Sequence, residues 1–226
     1  MSRDAVLRKI RTALGVPRHG DAGRIEAATS RIDQPTRHLM PGRVAKPKAE
    51  LIALFIENMR KQAADVLEAG LSSEIPATVA AHLASFGISG RVRIGDDALL
   101  AAVPWDRAPS LAIARGRADP SDTVAISVAT AGIAETGTLM LASGADNPTT
   151  LAFLPEIHVA VVCEDTIVGP FEDAFDLVRA RFGRHKMPRS LNLISAPSRT
   201  GDIGGKIVLG AHGPCRLIVV IVKVAA

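Results

Sequence analysis

The sequence predicts an α/β fold: an open, mostly parallel sheet with helices on both faces, preceded by an N-terminal helical arm. Two observations support this prediction. Short β-like runs alternate along the chain with helical segments, an order typical of a sheet covered by helices. Several of these runs are continuously apolar, as expected for strands buried on both faces. With 226 residues, 47% of them hydrophobic, the chain can also bury a substantial core.

The N-terminal region differs from the rest of the chain in its hydrophobic pattern, proline content and charge. Residues 2–14 favour an amphipathic helix that Ser2 caps and Gly15 ends. Residues 16–48 hold four prolines and no sustained hydrophobic period, which favours a linker or extended arm. Residues 1–48 carry eleven Lys or Arg against four Asp or Glu, so the basic character belongs to this arm. We therefore predict two parts, an arm at 1–48 and an α/β domain at 49–226.

Helices and strands of the domain follow from hydrophobic spacing. A helix is predicted from residue 49 to Gly70, a second from Pro76 to Gly87, and a third from Pro170 to Gly183. The predicted strands are RVRI, SLAIA, TVAISVA, GTLMLA, HVAVVC, LNLISA and RLIVVIV.

Composition excludes several functional classes. Cys163 and Cys215 are too few for a disulfide scaffold or an iron–sulfur cluster. No His/Cys grouping has metal-ligand spacing and no dinucleotide or P-loop fingerprint occurs, so we expect no metal and no cofactor. Six Phe, one Trp and no Tyr argue against stacking on nucleic acid. Without a signal peptide or a membrane-length apolar run, we expect a cytoplasmic protein with no membrane span.

Three loops follow predicted strands and are the candidate site. They are ATAGIAETGT, SGADNPTT and APSRTGDIGG, the last followed by LGAHGP. In open α/β sheets, ligands collect at the carboxyl ends of the strands. We therefore expect the loops to meet there around a small anionic metabolite.

Each loop offers a distinct chemistry. Glu135 is the candidate base or nucleophile, and His212 the candidate titrating group. Arg199 offers a planar fork for an anion, and Asn147 is a candidate cap of a helix that begins at Pro148. The full set of candidate ligand-binding residues is Thr136, Gly137, Thr138, Asp146, Asn147, Thr149, Ser198, Arg199, Asp202 and Gly213.

Structural interpretations of the same residues remain open. ETGT and SGAD are also typical turn sequences. A histidine in a glycine-rich turn, such as His212, is more often structural than catalytic, and an arginine in a polar loop, such as Arg199, is more often a surface residue than a ligand. His158, inside an apolar run, is expected to be a satisfied core or edge histidine, and Cys163 a buried small hydrophobe.

Four segments together resemble the LUD-domain family of lactate-utilisation C proteins. They are ETGTLML, NPTTLAFLPEIHVAVV, PSRTGDI and VLGAHGP, and the resemblance runs from about residue 75 to the C-terminus. It implies a Rossmann-like fold similar to CoA-transferases and ribose-5-phosphate isomerases. It also implies that the chain acts beside iron–sulfur partner proteins in oxidising L-lactate to pyruvate.

Three functions stay open under this resemblance. The chain could support lactate oxidation, with its basic arm contacting an acidic partner or its N-terminal helix docking on a second copy. It could be a CoA-transferase-like or isomerase-like enzyme, because Glu135-Thr136-Gly137 is similar to the Glu-x-Gly motif of CoA-transferases. It could be a non-catalytic module that binds a small carboxylate or phosphate. At Cys215 the family resemblance leads us to expect a basic residue, and Arg216 beside it could lower the pKa of the thiol.

Overall fold

The computed structural model describes residues 2–15, 22–37, 39–183, 185–203 and 206–223. The chain divides into two compact units, Met1–Leu39 and Met40–Ala226. The first unit contains α1 (Arg3–Ala13) and α2 (Ala22–Asp33). Helix α1 was predicted, and the Ser2 hydroxyl caps it by accepting from the Ala5 N–H at 3.3 Å. Helix α2 was not, since an extended arm was expected there; the predicted boundary at residue 48 stays a prediction.

The second unit contains most of the secondary structure. In chain order its helices and strands are α3 (Lys48–Lys61), β1 (Asp65–Ala69), α4 (Ile75–Ala84), β2 (Gly90–Ile94), α5 (Ala98–Ala102), β3 (Leu111–Arg115), β4 (Val124–Val128), β5 (Ala131–Ile133), β6 (Thr138–Ala142), α6 (Thr150–Phe153), β7 (Ile157–Cys163), β8 (Ile167–Val168), α7 (Phe171–Phe182), β9 (Leu191–Ile194), β10 (Arg199–Ile203), β11 (Lys206–Leu209) and β12 (Arg216–Val222). All seven predicted strand segments contain a strand, and the helices predicted from Pro76 and Pro170 are present.

Six strands form a central sheet in the order β1-β12-β7-β4-β2-β3. Every neighbouring pair is parallel, which confirms the predicted α/β class. The apolar runs lie in the middle: β4 is buried throughout, and β7 and β12 are buried except at one end residue each. Since both faces of these strands are covered, the runs are continuous rather than alternating.

Two aliphatic clusters cover opposite faces of this sheet. Val159 and Val161 of β7 pack in one cluster with residues of α4 and α5, whereas Ala160 and Val162 pack in the other with residues of α3. Successive side chains of a strand point to opposite faces, so one strand contributes to both clusters. Helices therefore cover both faces, and the α3 face is also covered by strand β6 of a second sheet.

The second sheet has the order β8-β5-β6-β9, and β10 and β11 form a separate two-stranded ribbon. Strands β5, β6 and β9 pair antiparallel, while β5 and β8 pair parallel. Two of the predicted strand segments, GTLMLA and LNLISA, belong to this sheet and not to the central one. The loops that follow them therefore do not follow central strands.

One predicted helix is too long. Hydrophobic spacing favoured a single helix from residue 49 to Gly70, but α3 ends at Lys61 and β1 occupies Asp65–Ala69. The chain turns at Ala63, where φ is +64°. Val66 and Leu67 fit a short strand as well as a helix. The strand forms because β1 pairs with β12, which gives the backbone N–H and C=O groups of this segment hydrogen-bond partners in the sheet.

Candidate functional site

A cavity of about 260 Å³ lies at the amino-terminal edge of β7 and β12. We call it the His158 cavity. Its polar lining comes from His158, Ser195, Ser198, Arg199 and His212, and its apolar lining comes from Ala152, Phe153, Leu193, Ile194, Ala196, Pro197, Pro214 and Leu217, with Gly213 completing the wall. The cavity is therefore mostly apolar with a few converging polar groups, which is the usual composition of a small-molecule site.

His158 is the most deeply buried polar group of the cavity. It is the second residue of β7 and is 1% exposed. Its Nε2 lies 2.7 Å from the hydroxyl of Ser127, which belongs to the neighbouring strand β4. Its Nδ1 is also buried and has no hydrogen-bond partner among the described residues. Burial lowers the pKa of His158 to about 4, so the ring is neutral near pH 7.

Hydroxyl groups connect the cavity to the β5–β6 turn. Ser195, which follows β9, lies 2.7 Å from the Thr138 hydroxyl, and Thr138 lies 2.6 Å from the Thr136 hydroxyl. The antiparallel pairing of β6 with β9 places these side chains together. Thr138 therefore reaches the cavity through one intervening hydroxyl.

The loops before β10 and before β12 are joined at Ser198. The Ser198 hydroxyl accepts from the His212 N–H at 3.1 Å, and the Ser198 N–H donates to the Pro214 carbonyl at 2.8 Å. Arg199, beside it, donates to the Gln62 carbonyl at 3.0 Å and keeps further N–H groups. Ser198, Arg199, His212 and Gly213, all predicted from the sequence, thus lie around one cavity.

Glu135 lies elsewhere, in the turn between β5 and β6. Its carboxylate pairs with Arg43, and its side chain is 12% exposed. Helix α3 holds the same turn, because Asn58 donates to the Ala134 carbonyl at 2.9 Å and Gln62 to the Thr136 carbonyl at 2.7 Å. Glu135 is not among the residues that line the His158 cavity. The structural interpretation of ETGT as a hairpin turn describes this segment.

The loop after β6 is a third location. Asp146 pairs with Arg181 at 2.9 Å. Asn147 is not the helix cap that the sequence suggested, because α6 begins at Thr150 with Thr149 before it. The Asn147 amide is buried instead and donates to the Val128 and Ala142 carbonyls at 3.0 and 3.2 Å, which ties the loop to β4 and β6.

The predicted residues therefore divide among separate places. The structure brings Ser198, Arg199, His212 and Gly213 together, with Thr138 adjacent. It does not bring Glu135, Asp146 or Asn147 to them, and Thr149 lines a different groove. Asp202 lies in β10, and its side chain is outside the described part of the structure, as are Gly204 and Gly205 of the same loop.

The position of the cavity also differs from expectation. It lies at the amino-terminal edge of β7 and β12, whereas the carboxyl edge was expected. Sequence reasoning missed His158, Ser127 and Ser195 as site residues. A polar residue inside an otherwise apolar run, such as His158 in IHVAVVC, was the available signal.

Two further features are absent from the described residues. No three His, Cys, Asp or Glu side chains in this part of the chain are grouped to hold a metal ion. No helix within it is long and apolar enough to cross a membrane.

An all-parallel central sheet with helices on both faces defines an α/β domain. Residues 117–222 match the LUD domain family. The predicted resemblance to this family is thereby confirmed over these residues.

Relatives agree with this assignment. Lactate utilization protein C of Geobacillus sp. (strain WCH70) is 33% identical over 91 residues, 40% of this chain and 38% of that protein. Lactate utilization protein C of Macrococcus caseolyticus is 29% identical over 177 residues, 76% of this chain and 71% of that protein. The aligned segment thus spans about two fifths of the Geobacillus relative and more of the Macrococcus one.

A solved structure shares the fold. The crystal structure of a DUF162 family protein from Deinococcus radiodurans is 27% identical, with a TM-score of 0.57. The alignment covers 78% of this chain and 99% of that chain.

Proposed function

We propose that this chain takes part in lactate utilisation by binding L-lactate, or the pyruvate formed from it, in the His158 cavity. The names of its relatives, lactate utilization protein C, support the pathway. In this proposal the chain supports oxidation of L-lactate to pyruvate in the cytoplasm and works together with iron–sulfur partner proteins.

The lining of the His158 cavity is the observation that carries the proposal. Arg199 is its charged side chain, Ser195 and Ser198 supply hydroxyls, and Phe153 and Leu193 supply apolar surface. L-Lactate has one carboxylate, one hydroxyl and one methyl group. A single guanidinium matches the single negative charge, and the apolar wall matches the methyl group.

In this proposal the ligand hydroxyl reaches the buried Nδ1 of His158, which can pair with it in either tautomer. Its Nε2 is occupied by Ser127, and its buried Nδ1 has no partner among the described residues. If Nε2 donates to Ser127, Nδ1 accepts from a ligand hydroxyl; if Nε2 accepts, Nδ1 donates. A ligand hydroxyl or keto oxygen would satisfy a group whose isolation otherwise costs free energy.

In this proposal the iron–sulfur partner proteins carry out the electron transfer. The chain has two cysteines, Cys163 and Cys215, and an iron–sulfur cluster needs about four protein ligands. Its own residues would bind and orient the acid. The alternative in which Glu135 is a nucleophile gains no support from the fold, since Glu135 pairs with Arg43 in a turn.

Calorimetric titration with L-lactate and pyruvate tests the binding step. We expect Arg199→Gln to weaken binding about tenfold or more, because it removes a charge-assisted hydrogen bond. Arg107→Gln is the matched control, since Arg107 is exposed and does not line the His158 cavity. Wild-type protein that binds neither acid, or an Arg199→Gln variant that binds as wild type does, would overturn the proposal.

Capture under strictly anaerobic conditions tests the partners. The tagged chain should recover iron–sulfur proteins from cells grown on L-lactate. Recovery of none, together with unimpaired growth on lactate after deletion of the gene, would contradict the pathway assignment.

A further inference from the structure

A second depression, separate from the His158 cavity, lies between the loops before β9 and after β6. This groove has a volume of about 640 Å³ and shares no lining residue with the His158 cavity. Its charged lining consists of Arg117 and Arg189, and its hydroxyls come from Ser143, Thr149, Thr150 and Ser190. We call it the Arg117–Arg189 groove.

Hydrogen-bond donors dominate the groove. The Ser143 hydroxyl accepts from the Ser190 N–H at 2.9 Å, and the Thr150 hydroxyl accepts from the Ala118 N–H at 3.0 Å. Each hydroxyl uses an oxygen lone pair in this contact and keeps its own proton for donation. Thr149 and Ser190 lie 3.1 Å apart, and since one of them donates to the other, one more proton is left.

The charge of the groove is uniformly positive. Among the described residues, no carboxylate lines it. The nearest one along the chain, Asp146, is already paired with Arg181 at 2.9 Å. Within the described residues neither Arg117 nor Arg189 forms an ion pair, whereas Arg115, two residues before Arg117, pairs with Asp96. Two arginines and four hydroxyl-bearing residues therefore line the groove, three hydroxyl protons stay available for donation, and no described carboxylate lies among the lining residues.

We propose that the Arg117–Arg189 groove binds the phosphate group of a small ligand. A phosphate monoester carries a charge of about −1.5 to −2 near pH 7 and presents only acceptor oxygens. Two guanidinium forks match that charge and geometry. Lactate, with one negative charge, matches the His158 cavity better, and this inference does not depend on lactate binding there.

Titration with inorganic phosphate and with glycerol 3-phosphate tests the groove. The experiment uses the full chain in a buffer without phosphate or sulfate, and the two probes distinguish a free anion from an esterified one. We expect Arg117→Gln and Arg189→Gln each to weaken binding about tenfold, and the double variant to abolish it. Arg189→Lys should recover part of the affinity, because it restores the charge without the fork.

Three controls make the test specific. Arg107→Gln removes an exposed arginine outside the groove and should bind as wild type does. Arg199→Gln should weaken lactate binding and leave phosphate binding unchanged, so the two proposals can fail separately. Glycerol, which lacks the phosphate, should not bind.

Three results would overturn the inference. One is wild-type protein that binds neither phosphate probe. Another is a double variant with wild-type affinity, which would place binding elsewhere on the chain. The last is malonate, a dicarboxylate, binding as tightly as glycerol 3-phosphate, which would show that the groove recognises charge without recognising phosphate.

Discussion

His158 is neutral in the folded chain because burial lowers its pKa to about 4, against an ordinary value of 6.5. In the unfolded chain the imidazole takes up a proton as the pH falls through about 6.5, whereas the folded chain resists protonation until about pH 4. His158 therefore contributes stability that is fully present above about pH 6.5 and is lost as the pH falls toward about 4. The wild-type protein should become more sensitive to denaturant over this window.

We expect His158→Gln to remove roughly 2 kcal/mol of the pH dependence of the unfolding free energy between about pH 7 and about pH 5. Urea unfolding of both proteins at several pH values measures this difference. If the variant does not fold, NMR titration of the wild-type imidazole gives the same information. An imidazole that protonates near pH 6.5 in the folded protein would refute the prediction.

Gly137 lies in a turn where any residue with a side chain would have a strained backbone and a steric clash. Its φ is +61°, and a Cβ added there would lie 2.7 Å from the Cβ of Asn58. Gly137→Ala should therefore lower the unfolding free energy by about 2 kcal/mol or more. Gly87→Ala is a matched control, because φ at Gly87 is +72° but a Cβ added at that residue would have no atom within 4 Å.

Gly87→Ala should lower the unfolding free energy by only about 1 kcal/mol, which is the cost of placing alanine in the left-handed backbone conformation. Thermal and urea unfolding compare the two variants. Equal losses for Gly137→Ala and Gly87→Ala would show that contact with α3 does not constrain the turn.

Strand β12 lies inside the central sheet, since it pairs with both β1 and β7. Ile218 in this strand is 1% exposed, whereas Ile207 in β11 is 76% exposed. Ile218→Ala should cost about 2–5 kcal/mol, because it removes buried methyl groups and leaves a cavity. Ile207→Ala should change the unfolding free energy by less than about 0.5 kcal/mol, and comparable losses in urea unfolding would contradict this placement of the core.

Elements were predictable where one hydrophobic period dominated. The local sequence was enough to predict β4, β7 and β12, which are continuous apolar runs, and α7, which lies between a proline and a glycine. The boundary between α3 and β1 did not, because Val66 and Leu67 suit helix and strand alike and only pairing with β12 decides between them. Helix α2 was missed since its sequence, AGRIEAATSRID, holds only two large apolar residues, Ile25 and Ile32, among small and polar ones.

For the whole molecule, the fold class and part of the candidate site were predictable from sequence alone. Ser198, Arg199, His212 and Gly213 were predicted because small and polar residues flank them in loops. The sequence did not predict that they lie at the amino-terminal edge of the central sheet, because this position depends on β6 and β9 belonging to the second sheet. Sheet membership is a tertiary property, and the hydrophobic pattern of TLMLA is the same in either sheet.

The two depressions differ in the charge they present, and this difference separates their expected ligands. Arg199 gives the His158 cavity one cation among apolar walls, and Arg117 and Arg189 give the groove two among hydroxyls. Since they share no lining residue, a substitution in one leaves the other's lining unchanged.

Trp105 gives this chain a built-in optical reporter. It is the single tryptophan in a sequence without tyrosine. The indole packs against the aliphatic cluster on the α4 face, and its N–H donates to the Leu100 carbonyl at 2.9 Å. Tryptophan fluorescence therefore reports on one place, the α4 face of the central sheet. A melting curve recorded by fluorescence follows the unfolding of that face, whereas circular dichroism follows the secondary structure of the whole chain.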